Sequence, residues 1–321
     1  MIHPLFATLL LPYDRRTMKK TRTQTHLRVW SALVLALVLA LPSGARAKDL
    51  HLRYEAYWGG LHIADFTLSL LNSEGTFENR FHLETRGMTR LFTNLSAKAT
   101  SRGRVIAPPP SIQGNNAMAN AAATQPKAAA YVAQTYRTEY TNRKHLRWVD
   151  ITFGAPGEPA KAVTGTSPTP GYEDNWDPKD KGPQVLDRVE AEFRIGVNDP
   201  ISLVPQIMAI VHAHLKGGPE SGVARGFDGR RRFDMGVLHM GRVKRTIQGK
   251  VQDTYRVRVT PNPVAGFKPR HKTLWNNSTY DFYLSRDGGF APLQIVPVNH
   301  GPVLTLVARC DLECELPKEE E

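Results

Sequence analysis

From Asp49 onward, apolar and polar residues alternate with a period of two. In Leu50-His51-Leu52-Arg53-Tyr54-Glu55-Ala56, the residues Leu50, Leu52, Tyr54 and Ala56 fall on one side, as in a half-buried strand. Gly59-Gly60 turns the chain. Residues 61–70 alternate again, with a phase slip between Ile63 and Phe66 that predicts a bulge. Asn72-Ser73-Glu74-Gly75 is a second turn, Phe77, Phe81 and Leu83 mark the next strand, and 91–104 supports another. This is the pattern of an antiparallel meander with one buried face.

Pro108-Pro109-Pro110 ends that run, and 108–127 has little to bury, so a mobile loop is expected there. Strands resume at 131–140 and 146–153. Gly157, Pro159, Gly165, Pro168, Pro170, Gly171 and Pro178 then predict a second long mobile loop over 154–183, an insertion in one domain. A change of period follows. Ile201, Val204, Met208, Val211 and Leu215 keep helical spacing, with Leu203, Ile207 and Ile210 widening the stripe. Asp199 as N-cap, Pro200 at the first position and Gly217-Gly218-Pro219 at the end predict the one well-formed helix, over 199–216. Asp228-Gly229 suits a two-residue hairpin turn, which would set Phe227 opposite Arg230. Further strands are expected at 242–247, 252–260, 279–285, 292–297 and 303–309, with a turn at Asp287-Gly288-Gly289. The fold class is mainly β: an antiparallel, strongly curved sheet or open barrel wrapped around one central helix.

Composition changes the picture mostly at the ends. Lys19, Lys20, Arg22 and Arg28 precede an uncharged apolar run over 30–41, then Pro42-Ser43-Gly44 and Ala45-Arg46-Ala47. That is the order of a secretory signal peptide, with cleavage after Ala47 and a periplasmic destination. Met18 directly before Lys19-Lys20 is expected to be the true start, with 1–17 a mis-called extension. Cleavage leaves 274 of 321 residues, removes seven Lys/Arg and one Asp, and lowers the net charge from +12 to +6. A mild excess of that kind argues for solubility and against nucleic acid as partner. No other apolar run reaches the ~20 residues of a membrane span, so 48–316 is read as one soluble mainly-β domain with an acidic tail at 317–321. Cys310 and Cys314 bridge only if the chain turns between them, because residues four apart on one strand lie about 13 Å from each other.

Few residues suggest chemistry. In the expected hairpin, Arg231 shares a side with Phe233 and Met235, so it is the charge expected to be partly buried. It then needs a ligand anion or a carboxylate such as a core Asp or Glu. Asp228 and Arg230 flank it as candidate ligand contacts, while Arg225, Arg230 and Arg232 also read as a solvated face, and Phe227 with Arg230 as a cation–π pair. His212 and His214 are two apart on a helix and diverge, and His62, His82, His239, His271 and His300 are scattered, so neither a metal nor another cofactor is expected. There is no G-x-S-x-G, Walker or G-x-G-x-x-G motif, and Gly165-Thr166-Ser167 lacks the strand-to-helix turn of a nucleophile elbow. Trp148, Trp176 and Trp275 read as core aromatics, without the basic stripe that nucleic acid needs.

Asp199-Pro200-Ile201-Ser202-Leu203, Phe227-Asp228-Gly229-Arg230-Arg231-Arg232-Phe233-Asp234 and Pro261 with Ala265-Gly266-Phe267 together resemble domain-of-unknown-function family 3108. Tyr57-Trp58-Gly59-Gly60-Leu61-His62-Ile63-Ala64 and Arg86-Gly87-Met88 fit its opening hairpin, so the resemblance spans about 50–307. It implies an exported bacterial protein and supplies no catalytic residues. The cysteines that members often carry before the hairpin and before the Gly-Phe are missing from 220–225 and 252–259. The function expected is therefore non-catalytic: binding of an apolar or amphiphilic envelope ligand, such as a lipid, or of an envelope protein. An enzyme acting on cell-wall or glycan material through Asp65, Asp228 and Asp234 is the alternative, and an envelope scaffold a third.

Overall fold

The computed structural model describes residues 49–92, 94–107, 128–142, 145–168, 183–287, 289–299 and 301–317. Their strands are β1 Leu50–Trp58, β2 Leu61–Ser73, β3 Thr76–Thr85, β4 Ser96–Ile106, β5 Ala130–Asn142, β6 His145–Thr152 and β7 Lys161–Pro168. After β8 Gln184–Leu186 come β9 Ser221–Phe227, β10 Arg232–Ile247, β11 Lys250–Ala265, β12 Tyr280–Ser285, β13 Pro292–Pro297 and β14 Val303–Cys310. The structure is mainly β: all fourteen join one antiparallel sheet in the order β8-β7-β6-β5-β4-β3-β2-β1-β14-β13-β12-β11-β10-β9. The sheet is not closed. The chain enters at its middle, runs outward to the β8 edge, crosses to the β9 edge and returns to the middle.

The period-two pattern explains the strands. Leu52, Tyr54 and Ala56 of β1 are buried, and the expected bulge is present: Ala56 faces Ala64 but Tyr57 faces His62, leaving Ile63 as the extra residue. One part of the pattern was misread. The strand β7 occupies 161–168, inside the stretch where proline and glycine suggested only a loop. Its Gly165 lies under Trp148 of β6, so close that a Cβ would stand 2.3 Å from the ring. The glycine is there to seat an indole on the sheet. The rest of that stretch, 169–182, together with the expected leader at 1–47, the loop at 108–127, Trp176 and His300, lies outside the described residues.

Among the described residues there are three α-helical segments, α1 Thr89–Phe92, α2 Leu203–Leu215 and α3 Pro269–Asn276, and a 3-10 turn at Ala191–Arg194, so the single helix expected from the sequence has company. The helix expected over 199–216 begins regularly only at Leu203, because Asp199 Oδ1 accepts the N–H groups of Ile201 and Ser202, both at 3.0 Å, and holds 199–202 as a turn. Gly217, at φ +93°, ends it; the Gly218 N–H returns to Ala213 O at 2.9 Å. None of the described helices is long and apolar enough to cross a membrane.

The sheet bends around α2. In sheet order β5 and β9 are ten places apart, which in a flat sheet means roughly 48 Å. Yet Gln206 of α2 bonds to β5, accepting the Tyr131 N–H at 2.9 Å, while Ile210 lies against Gly222 of β9, where a Cβ would come within 2.8 Å. Gly222, Ala224 and Gly226 alternate on the helix-facing side of β9, and their small size permits this approach. Leu203, Ile207, Ile210 and Val211 pack with Phe233, Val257 and Val259 of β10 and β11, while Val204 and Met208 reach Leu52, Tyr54 and Leu70 of β1 and β2.

Candidate functional site

One site with room for a ligand is the seam where the bent sheet fails to close. Two strand edges face it. One belongs to β9. The other is the start of β5, since β6 pairs only with 135–142 and leaves 130–133 without a strand on that side. Asn198 spans the gap: its N–H donates to Arg225 O at 2.9 Å, its carbonyl accepts the Phe227 N–H at 2.8 Å, and its Oδ1 accepts the Ala133 N–H at 2.9 Å. Its neighbour Ile195 bridges to Pro159, and the Ala160 N–H donates to Arg194 O at 3.0 Å. The segment 194–198 thus stitches both edges.

Beside Asn198 the seam opens into a groove of about 380 Å³, within the range of small-ligand sites. Tyr131, Ala133, Phe153, Val197 and Val223 supply apolar walls, and Arg194, Arg225 and Glu158 also line it. Arg225 is exposed and has no carboxylate partner among the described residues; Asp234, opposite it on β10, is taken by Arg232. Arg194 donates through Nη1 to Ala160 O at 2.9 Å, and its Nε is buried without a partner among the described residues. Glu158 Oε2 accepts the Ala155 N–H at 3.3 Å. The groove therefore offers apolar surface beside two arginines and one glutamate.

The residues singled out from the sequence lie elsewhere and bond mainly to one another. The loop 228–231 is four residues long, not two: Phe227 faces Arg232 rather than Arg230. The cause is the Asp228 side chain, whose Oδ1 accepts the N–H groups of Arg230 and Arg231 at 2.9 and 2.7 Å. Arg231 is half-buried and has the carboxylate it needs, since its Nε donates to Asp228 Oδ2 at 2.9 Å, and its guanidinium lies 5.7 Å from the rings of both Phe267 and Trp275. Arg230 reaches Thr164 of β7 at 3.4 Å, and Phe227 is fully buried in the core. Arg232, read from the sequence as solvated, is the buried arginine, at 6 % exposure, and donates to Phe233 O and Asp234. This loop presses on β6 and β7, with Gly229 against Val149, and ties the two arms of the sheet.

A second polar cluster gave no sequence signal beyond Asp199, expected as the helix N-cap; that position is Ser202, and Asp199 holds the turn before it. Asp199, Ser101 and Ser202 are fully buried; Ser101 Oγ donates to Asp199 Oδ2 at 2.5 Å and lies 2.9 Å from Ser202 Oγ, to which Asn79 Nδ2 donates at 3.2 Å. Burial pushes the Asp199 carboxyl up, against hydrogen bonds from Ser101 and Ser202 that draw it down. On the outer face of β2, Asp65 is buried between His62 Nε2 and Arg86 Nε, each at 2.8 Å. The carboxyl-terminal segment covers this face: Arg80 pairs with Glu313 at 2.9 Å and Arg86 donates to Pro317 O at 2.6 Å. A Cys310–Cys314 disulfide, with Cα atoms 5.6 Å apart across bends at Asp311 and Leu312, anchors the segment. The rings of His214 and His239 lie 4.6 Å apart, tilted by 41°, and burial together with the His214 charge lowers the His239 pKa. No group of three metal-ligating side chains occurs among the described residues. Asp65, Asp228 and Asp234 do not converge, since β2 and β10 stand six places apart in the sheet and each carboxylate bonds to a different arginine.

Fold and groove together define an open antiparallel β-sheet protein with a ligand-sized seam. No family model and no curated protein matches the chain. Among solved structures, a β-barrel-like protein of the domain of unknown function DUF1849 from Brucella abortus aligns with 82 % of this chain and 98 % of its own, at 12 % identity and a TM-score of 0.45.

Proposed function

We propose that this chain is a non-catalytic envelope protein that binds an elongated ligand in the seam groove. In this reading the sheet wraps around α2, and the signal-like leader ending at Ala47 delivers the chain to the periplasm. Membership of family 3108 belongs to the same reading and rests on the three motifs at 199–203, 227–234 and 261–267. The observation that carries it is the groove itself, an apolar slot between two strand edges with Arg225 left without a carboxylate partner. An amphiphile with an acidic end and an acidic protein segment both suit that lining. Native mass spectrometry of the mature chain isolated from envelopes is expected to show a bound species. Its displacement should follow substitution of Val223 by Asp. If nothing is bound, and neither dodecyl phosphate nor an acidic peptide perturbs the amides of Tyr131 and Val223, the reading is wrong.

An enzyme working on cell-wall glycan is the second reading. It draws on Glu55, Asp65 and Glu84, which stand side by side across β1, β2 and β3, with His62 at hand. Release of soluble sugar from purified cell wall, abolished in Asp65→Asn, would favour it over binding alone.

A further inference from the structure

We infer that the ligand of the seam groove is an extended polypeptide that adds a strand to the free edge of β9, with small or apolar side chains turned inward and acidic ones outward. This rests on the groove being the binding site. The chain already demonstrates the mode of contact. Asn198 occupies the next strand position beside β9, forming a parallel bridge to Gly226 through the Arg225 carbonyl and the Phe227 N–H. Backbone groups of a strand alternate in direction. Since Arg225 O and Phe227 N point away from β10, the N–H and carbonyl of Val223 do so as well. Among the described residues no backbone group pairs with Val223 on that side. Gly196, at φ +64°, swings the chain away from the edge, and the groove begins where it leaves.

The opposite wall differs. On β5 the N–H groups of Tyr131 and Ala133 are already taken by the side chains of Gln206 and Asn198, and Ala129 O accepts from Gln206 Nε2 at 3.2 Å. Two amide side chains therefore cap β5, while among the described residues β9 keeps open the outward N–H and carbonyl groups of Ser221 and Val223 and the N–H of Arg225. An unpaired edge is a template for another chain, and main-chain pairing gives such additions their affinity. Five residues of edge span roughly 14 Å at ~3.4 Å per residue.

Side-chain chemistry sets the rest of the pattern. Residues of an added strand that point inward meet Gly222, Ala224 and α2, where only small or apolar groups fit. Those that point outward lie beside Val223 and Arg225, both exposed. Arg225 lacks a carboxylate, so acidic residues are favoured there and basic ones disfavoured. The pattern is alternating apolar and acidic.

The test uses isotope-labelled mature protein and a capped octapeptide of alternating valine and glutamate. The peptide is expected to slow hydrogen exchange at the amides of Val223 and Arg225. Val223→Pro removes one edge donor without touching the β10 ladder and should weaken peptide binding about tenfold. A peptide fully N-methylated on its backbone should not bind, which keeps the test valid if the proline variant misfolds. Exchange of valine for threonine should be tolerated, and of glutamate for lysine should not. If dodecyl phosphate enters the groove but the peptide does not, or the peptide binds without protecting Val223 and Arg225, strand addition is wrong while the groove remains a ligand site. If neither enters, both conclusions fall.

Discussion

Asp199 shows what a single residue contributes here and how it is tested. Its raised carboxyl means that the folded state binds the proton more readily than the unfolded chain. Between the unfolded value, about 3.9, and the raised folded value, stability falls as pH rises, and it stays lower above that window. Asparagine keeps the oxygen that receives the Ile201 and Ser202 N–H groups and carries no charge. The urea midpoint of Asp199→Asn relative to the native protein should therefore rise from pH 4 to pH 7; a difference flat with pH would contradict the cause. Arg232 and Arg231 make a second contrast. Arg232→Ala strips a buried guanidinium from Phe233 O and Asp234 and should cost about 1.5–3 kcal/mol. Arg231→Ala, at a pair open to solvent screening, should cost about 1 kcal/mol or less; equal losses in urea unfolding would sink the distinction. The sequence announced Asp199 as a helix-start residue, because capping is local. Its bond to Ser101, which is 98 residues away, left no local trace. The turn was misjudged for the opposite reason: Asp-Gly was read by backbone preference, while the Asp228 side chain set the loop.

At the scale of elements, alternation located most strands within a few residues, since each has one apolar face. The strand β7 was missed because its requirement is steric. Gly165 makes room for Trp148, and neither Lys161 nor Thr164 announces a buried row. Gly165→Ala should displace the indole and destabilise by about 1–3 kcal/mol, with a shift in tryptophan emission; a stability within error of native would argue against this packing. The carboxyl-terminal strap is an element of another sort. Its disulfide closes a five-residue loop, so chain entropy assigns it only about 2 kcal/mol. In Cys310→Ser/Cys314→Ser, global stability should drop by that modest amount. Protease access to 311–317 should rise far more, and parallel changes in both would overturn the idea of a local anchor.

For the whole molecule, the sequence conveyed a mainly-β antiparallel sheet but not the order of its strands or the place of its seam. Hydrophobic patterning is blind to which edges meet. The groove depends on Asn198, which joins β9 to β5, and on Gln206, which joins α2 to β5, and nothing in the surrounding sequence marks either as a stitch. Asn198→Ala leaves the Ala133 N–H without its acceptor and should cost about 1–3 kcal/mol, with faster exchange at Ala133 as the local readout.

The sheet order also fixes a sequence of events in time. Every neighbouring pair of strands is consecutive in the chain except β1 and β14, where Tyr54 meets Leu306, 252 residues later. Loop closure of that span is the slowest encounter the topology demands. A chain delivered amino-terminus first must hold β1 with one bare flank until β14 arrives. Until then that flank is the part of the nascent protein most exposed to mispairing and to holding chaperones. Pulse-labelled hydrogen exchange during refolding should find β1 and β14 amides protected after the β2–β3 and β10–β11 hairpins; simultaneous protection would mean that the two arms meet before they are built.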